Sequence, residues 1–284
     1  MLNPTLQQTL QQDCKQSTDL RAQVGPFSTG ILVKTEQGEF VVPVEDMQIG
    51  WNLRTAGSYE KKQLDGISKF CQSKNVLVVG AHIGSFAIPL ARLARRVTAI
   101  EANPKSFELL EINLFLNKTT NCRPIRIAAS DRIETIEFLQ SSVNTGGSKR
   151  KPKETWHYYF DDPKVILVEA MPLDELLANE EFDVITMDIE GSEYYALKGM
   201  QRILSRAQML EIEFCTHHLK YAALVSIETF CDTFMRFFSF MRLSNGQLIE
   251  QPRMRAVLEE MYDKDIDDPG IIFLKQKPDL DTSQ

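Results

Sequence analysis

Five short apolar runs in this chain each end on residues that could do chemistry. "VLVVGAHIGSF" (Val76 to Phe86) carries Gly80, His82 and Gly84. "VTAIEANP" ends on Glu101 and Asn103, and "IRIAASD" on Ser130 and Asp131. "FDVITMDIEGSE" presents Asp188, Glu190 and Glu193, and "MLEIEFCTHH" runs into His217 and His218. Two glycines at a turn let backbone approach something flat or anionic. A carboxylate such as Glu101 can accept hydrogen bonds from both hydroxyls of a ribose. A histidine or an aspartate can take a proton from a hydroxyl. One acid after a strand is more often a helix cap or a surface charge. Five polar clusters at five strand ends point to a site.

The elements around them must therefore alternate. "NVLVVG" reads as a strand buried on both faces, and "SFAIPLARLARR" as a helix. "VTAIE" is a second strand. "NPKSFELLEINLFLN" is a helix with Asn103 at the N-cap and Pro104 at the first helical position. "RPIRIAAS", "FDVITMDIE", "AQMLEIEF" and "GIIFLKQK" read as further strands. "ALKGMQRIL" and "VSIETFCDTFMRFFSFM" read as helices. This alternation predicts an α/β fold with a doubly wound, mostly parallel sheet. Such sheets bind ligands at the carboxyl ends of their strands.

Upstream, residues 1–25 are Gln-rich and read as a helical or loosely ordered lead-in. "GILVKTEQGEFVVPV" is a β-hairpin signal, and residues 45–75 read as mostly helical. Residues 1–70 thus form an N-terminal extension of helix, β-hairpin and helix packed on a core domain of residues 71–284. The core carries an insertion at 141–164, long for this kind of connection. Its Gly, Ser and Lys content reads as mobile. "WHYYF" (Trp156 to Phe160) suits either a lid over substrate or packing on the sheet edge.

The 284 residues carry a net charge of −7 and are 43% hydrophobic. An acidic chain with no basic face is not expected to bind nucleic acid. "KRKPK" is a short basic run that a solvated loop explains. Five cysteines with no C-x-x-C spacing give neither a disulfide framework nor a thiolate zinc pattern. The first sixteen residues lack a basic start and an apolar h-region, so no signal peptide is expected. No run is apolar enough to span a bilayer. The expectation is a reduced, cytoplasmic protein without a membrane partner, which could form a homo-oligomer.

Glycine spacing narrows the cofactor. A dinucleotide loop, G-x-G-x-x-G, would need Gly at 82 and 85, where the chain has His82 and Ser85. A G-x-x-x-x-G-K-[ST] phosphate loop is also absent. A nucleotide without phosphates fits better, and S-adenosyl-L-methionine is the common one. An NAD-type oxidoreductase and a non-catalytic S-adenosylmethionine-binding protein remain as alternatives.

The order of "VLVVGAHIGSFAIPLA", "VTAIEANPKSFELLEINLFLN", "IRIAASD", "PLDEL", "FDVITMDIEGSEYYALKGM" and "MLEIEF" resembles the FkbM-type S-adenosylmethionine-dependent methyltransferases. The resemblance covers about residues 57–215. It implies a class I methyltransferase fold and methyl transfer. The acceptor would be a hydroxyl of a small molecule, such as a sugar, polyketide or other secondary metabolite. Residue by residue, it implies cofactor contacts from Gly80, Gly84, Glu101, Asn103, Ser130 and Asp131. Asp188, Glu190 and Glu193 match the family's second motif. Two positions depart from the pattern. Val78 stands where the family has an acid near the cofactor's ammonium group, and Glu60, in "GSYE", is the expected replacement. His82 stands where the family has Asn, and is expected at the cofactor or in a loop-stabilising hydrogen bond.

Transfer to a hydroxyl needs a base. His217 and His218 are one candidate and Asp188 the other. Asp188 and Glu190 alternate, so in a strict strand they face opposite sides. No metal site is therefore expected from them.

Overall fold

The central strands are apolar along most of their length on both faces, so helices must cover both sides of the sheet. In the computed structural model, which describes residues 4–25, 28, 30–154 and 161–278, they do. The chain opens with helix α1 (Pro4–Val24) and a hairpin of β1 (Gly30–Lys34) and β2 (Glu39–Pro43). Helices α2 (Ile49–Thr55) and α3 (Lys61–Cys71) lead into β3 (Asn75–Val79), α4 (Ala87–Ala91), β4 (Arg96–Glu101) and α5 (Pro104–Leu116). Then come β5 (Cys122–Arg126), β6 (Ala128–Ala129), β7 (Glu134–Gln140), β8 (Lys149–Arg150) and β9 (Lys164–Met171). Helix α6 (Leu173–Leu176), β10 (Val184–Met187), α7 (Glu193–Lys198), α8 (Gln201–Arg206) and β11 (Met209–Phe214) follow. A π-helical turn, His218–Ala223, and α9 (Ile227–Phe234) precede β12 (Phe240–Arg242) and β13 (Leu248–Glu250). Helix α10 (Arg253–Asp263) and β14 (Asp268–Leu274) close the described chain.

The main sheet has eight strands in the order β13-β12-β14-β11-β10-β3-β4-β5. Strands β11, β10, β3, β4 and β5 are mutually parallel. Strand β14 runs antiparallel to β11, and the β12–β13 hairpin extends that edge. Strand order reverses between β3 and β10, so their carboxyl ends open the crevice where such sheets bind ligands. Alternation along β3 divides the core. Leu77 and Val79 join one apolar cluster with α7 to α10, and Val76 and Val78 join another with α3 to α5.

The hairpin β1–β2 pairs with no other strand and rests on α5. Asn113 holds it there, accepting from Val41 N at 2.7 Å and donating to Val41 O at 3.2 Å. Phe40, Val42, Ile49 and Leu53 of the first seventy residues share a core cluster with Val76 and Val97.

Three sequence expectations change. The span between the third and fourth core strands is not an irregular insertion. It holds a second sheet, ordered β6-β9-β7-β8, in which β7 and β9 pair antiparallel over seven residues. Alternation was the signal: Ile136, Phe138, Val168 and Ala170 form one apolar cluster, while Glu137 and Glu169 face outward. The described part of the insertion is tied down. Asp161 accepts from the backbone N–H of Ser142 and Val143 at 3.1 and 3.2 Å, and Lys153 and Glu154 donate to Ala222 and Tyr221. "WHYYF", including His157, lies outside the described residues. "ALKGMQRIL" is two helices broken at Gly199–Met200, and the segment after Phe234 turns into β12 rather than continuing as helix.

Candidate active site

At the end of β3 the chain turns back beneath β4. Gly80 has φ +88°, and a Cβ there would stand 1.9 Å from the Asp188 carbonyl oxygen. Only glycine fits where these two strand ends meet. Gly84, at φ +95°, serves packing: a Cβ would press on Ile88 and Leu110 at 2.9 and 3.0 Å. It lines neither cavity described below.

Glu101 staples this loop. One carboxylate oxygen accepts from His82 N and the other from Asn103 N, both at 2.7 Å. Burial pushes its pKa up to about 7, against the pull of those N–H groups. A carboxylate has about four acceptor positions, so Glu101 keeps unused acceptor capacity. Asn103 caps α5, accepting from Lys105 N at 3.1 Å, and its side chain also contacts Ser148 and Gln140. His82 sits at φ +49° with Nε2 2.8 Å from Thr145 Oγ1, and Thr145 in turn donates to Asp46. Burial lowers its pKa to about 4, so the ring is neutral at pH 7.

Two cavities meet at Gly80, His82, Gly146 and Asp188. One, a cleft of about 570 Å³ counting the solvent at its mouth, has an apolar wall of Ile100, Ala128, Ala129, Ile136 and Phe138, with Glu101, Ser148, Arg150 and Asp188 among its polar residues. The other, about 740 Å³, is lined by Tyr59, Glu60, Val78, Asp188 and Glu190. Tyr59, Glu60 and Gln63 bring the N-terminal extension into this wall, and Glu60 shares it with Val78.

The Asp188 end is built by a turn. Strand β10 stops at Met187, and Glu190 adopts φ +56°. Glu193, opening α7, closes the turn by accepting from Ile189 N and Gly191 N, both at 2.9 Å. Asp188 and Glu190 therefore reach the same cavity, which a straight strand would forbid. The Asp188 residue as a whole is exposed, although protein closely surrounds its carboxyl group. Burial and the acids Glu190, Glu193, Glu60 and Glu211 push its pKa well above the usual carboxylate range. Glu190 is the exception: despite burial, Lys149 at 2.8 Å and His218 at 3.4 Å hold it ionised.

Glu211 and Glu213 escaped the sequence reading. Both lie in β11 close enough to the acidic cluster to interact with it, Glu211 acting on Asp188 and Asp188 on Glu213. Glu211 accepts from Thr186 and Gln63 and is raised to about 7 by burial. Glu213 rises to about 11 through burial beside Asp188, Glu190 and Glu193. Two acids at alternate positions of an apolar strand were the available signal.

Like Gly84 and Asn103, four more expected residues line neither cavity. Ser130 donates to Glu134 at 2.8 Å and accepts from Arg150 at 2.9 Å. Asp131 is held by Lys198 at 2.7 Å, and that pairing overcomes burial and lowers its pKa. Neither lines a cavity; Arg150 is the nearby residue that does. His217 is exposed, with Nδ1 2.9 Å from Cys215 Sγ, and burial of its ring beside His218 and Lys149 lowers it to about 4. His218 is buried behind Glu190 and Glu213.

A doubly wound sheet with one antiparallel edge, and a glycine turn and acidic turn at its switch point, define a class I methyltransferase. The chain matches the methyltransferase FkbM domain over residues 79–247 and belongs to that family. It is similar in structure to Trm5b from Pyrococcus abyssi, at 15% identity and a TM-score of 0.44, covering 88% of this chain and 56% of that one. It is also similar to the M. jannaschii tRNA m1G37 methyltransferase, at 13% identity and a TM-score of 0.43, covering 89% and 59%. An rRNA methylase from Streptococcus thermophilus aligns at 13% identity and a TM-score of 0.43, covering 75% and 94%. The chain spans less than two thirds of the first two proteins. No curated protein matches it. No helix among the described residues is long and apolar enough to cross a membrane.

Proposed function

We propose that this chain uses S-adenosyl-L-methionine to methylate a hydroxyl of a small molecule, with Asp188 as the general base. The observation that carries this reading is a pair of clefts meeting at Gly80 and Asp188, one with an apolar wall and Glu101 at its edge, the other lined by Glu60, Asp188 and Glu190. An adenosine needs the first, with a ribose acceptor at its edge. A sulfonium and an ammonium group need the second. When bound, the cofactor supplies an electrophilic methyl group.

The chain's own residues would do the rest. Ile100, Ala129 and Phe138 would sandwich the base, and Glu101 would accept from the ribose. Glu60 would face the ammonium group in place of the acid missing at Val78, since a buried cation needs a partner. Asp188, at the junction of both cavities, would accept the proton of the acceptor hydroxyl. Its raised pKa makes it a stronger base than an ordinary carboxylate. Small acceptors suit the enclosed crevice, and the net charge of −7 disfavours polyanions.

Calorimetry with S-adenosylmethionine, its demethylated product and NAD tests the cofactor. The first two should bind and NAD should not. Glu60→Gln should weaken the cofactor and spare adenosine; equal losses for both ligands refute its assigned role. Incubating hydroxylated metabolites with labelled cofactor tests the reaction. Label appearing on nitrogen or on nucleic acid would overturn the acceptor class.

A further inference from the structure

Behind Glu190, outside both cavities, the end of β11 and the turn after it gather three side chains with metal-binding atoms, and Glu213 lies beside one of them. Ligand atoms of Cys215, His217 and His218 all lie within 4.8 Å of one another. Cys215 Sγ is 2.9 Å from His217 Nδ1 and 3.8 Å from Nε2. The His218 side chain is 6% exposed, and its Nδ1 has no hydrogen-bond partner. It faces Glu213 Oε2 at 3.8 Å, a buried oxygen that also has none. Two orphaned polar atoms that oppose each other beyond hydrogen-bond reach leave room for something between them.

Tetrahedral geometry supplies the scale. With zinc–sulfur at about 2.3 Å and zinc–nitrogen or zinc–oxygen at about 2.0–2.2 Å, the S···N edge is about 3.5 Å and the N···O edge about 3.4 Å. The Cys215 Sγ to His217 Nδ1 separation is about 0.6 Å shorter than the first edge and the His218 Nδ1 to Glu213 Oε2 separation about 0.4 Å longer than the second, so small side-chain shifts would close the shell. The outer shell fits as well: His218 turns its other nitrogen, Nε2, to the Glu190 carboxylate at 3.4 Å. Metal-binding histidines are commonly held by a carboxylate in this way.

Other readings leave these atoms unexplained. A thiol–imidazole pair accounts for Cys215 and His217 but not for the gap at His218. A nucleophilic cysteine needs a lowered pKa, whereas burial and the neighbouring Glu213 and Asp267 raise that of Cys215. A hard cation would choose the carboxylates of Asp188, Glu193 and Glu213, which also lie within 4.8 Å of one another, and leave sulfur and nitrogen unused.

We propose that Glu213, Cys215, His217 and His218 form a four-ligand site for a borderline-soft divalent cation of the zinc class. Four protein ligands make it a closed, structural site. It would clamp the π-helical turn to β11 and, through His218, hold Glu190 in the cavity wall. The proposal does not rest on the methyl-transfer reading.

Cobalt(II) titration of the chelator-stripped full chain tests it without any methylation assay. The expected result is a thiolate-to-cobalt charge-transfer band, with tetrahedral d–d bands, that zinc(II) abolishes by displacement. Cys215→Ser should lose the charge-transfer band. Exposed His217 can be changed without disturbing the core, so His217→Asn, checked by circular dichroism, should bind cobalt at least about 100-fold more weakly. No charge-transfer band, or one that survives Cys215→Ser and so belongs to another cysteine, overturns the proposal. So does magnesium(II) displacing cobalt as readily as zinc, which would assign the ion to the carboxylates.

Discussion

On the Glu101 side of the cavity junction, a single buried carboxylate, Glu101, is satisfied by two backbone N–H groups at 2.7 Å. On the Glu190 side, Asp188, Glu190 and Glu213 crowd together beside Lys149 and His218. The first arrangement fixes the shape of a loop. The second stores electrostatic conflict, which a bound cation or a departing proton would relieve. Binding should therefore depend on the first end and chemistry on the second, and substitutions can separate them.

Asp188→Asn gives the largest effect. Loss of a positioned base should lower turnover by about 10²–10⁴. The dissociation constant for the demethylated cofactor product, measured by calorimetry, should change little. Normal turnover would remove Asp188 from the chemistry and return attention to the histidines beyond β11.

Glu101→Ala should show the opposite pattern. Loss of a charge-assisted acceptor should weaken cofactor binding by about 1.5–3 kcal/mol. An unchanged dissociation constant in a variant still folded by circular dichroism would mean that Glu101 only staples the loop.

The pH dependence of stability probes the crowding at the acidic end. Glu101 and Glu211 titrate near 7 in the folded chain and Glu213 near 11, all above the unfolded value of about 4.3. The folded state then binds more protons than the unfolded state, so stability falls as pH rises through 7. His82 and His217, lowered to about 4, act in the other direction, mainly below about pH 6.5, where the unfolded chain protonates them. Above about pH 7.5 these histidines are neutral in both states and the carboxyls dominate. The Tm of the metal-stripped protein should fall as the pH is raised from 7 to 8. Glu213→Gln should flatten the slope; a level or rising wild-type Tm would show that the acids are already relieved.

Thr145→Val is the smallest test. It breaks the contact from His82 through Thr145 to Asp46, and should cost about 0.5–1.5 kcal/mol of stability in denaturant unfolding. The Asp188 end should keep its pH response. A change there would show that the two ends are coupled through the loop at 141–150.

The central sheet, the turn at Gly80 and the cap at Asn103 were legible in the chain itself. Each is set by neighbours in sequence: fully apolar runs, a glycine at a strand end, Asn before Pro. Glu101 and Asp188 were legible as cavity residues because strand ends in a doubly wound sheet share one rim, whereas Glu60, just ahead of α3, was legible only through the family resemblance. The second sheet was missed although β7 and β9 alternate, because their pairing closes across more than twenty intervening residues. Ser130 and Asp131 follow a strand as the other site residues do, yet Arg150 and Lys198, from distant segments, take them. Whether Asp188 and Glu190 meet depended on Glu193 closing a turn, and whether His217 and His218 face the cavity depended on where β11 ends. Spacing determined which residues reach the rim of this sheet. Only tertiary structure decided which of them face the crevice, because a side chain's partners and the charges around it come from other strands.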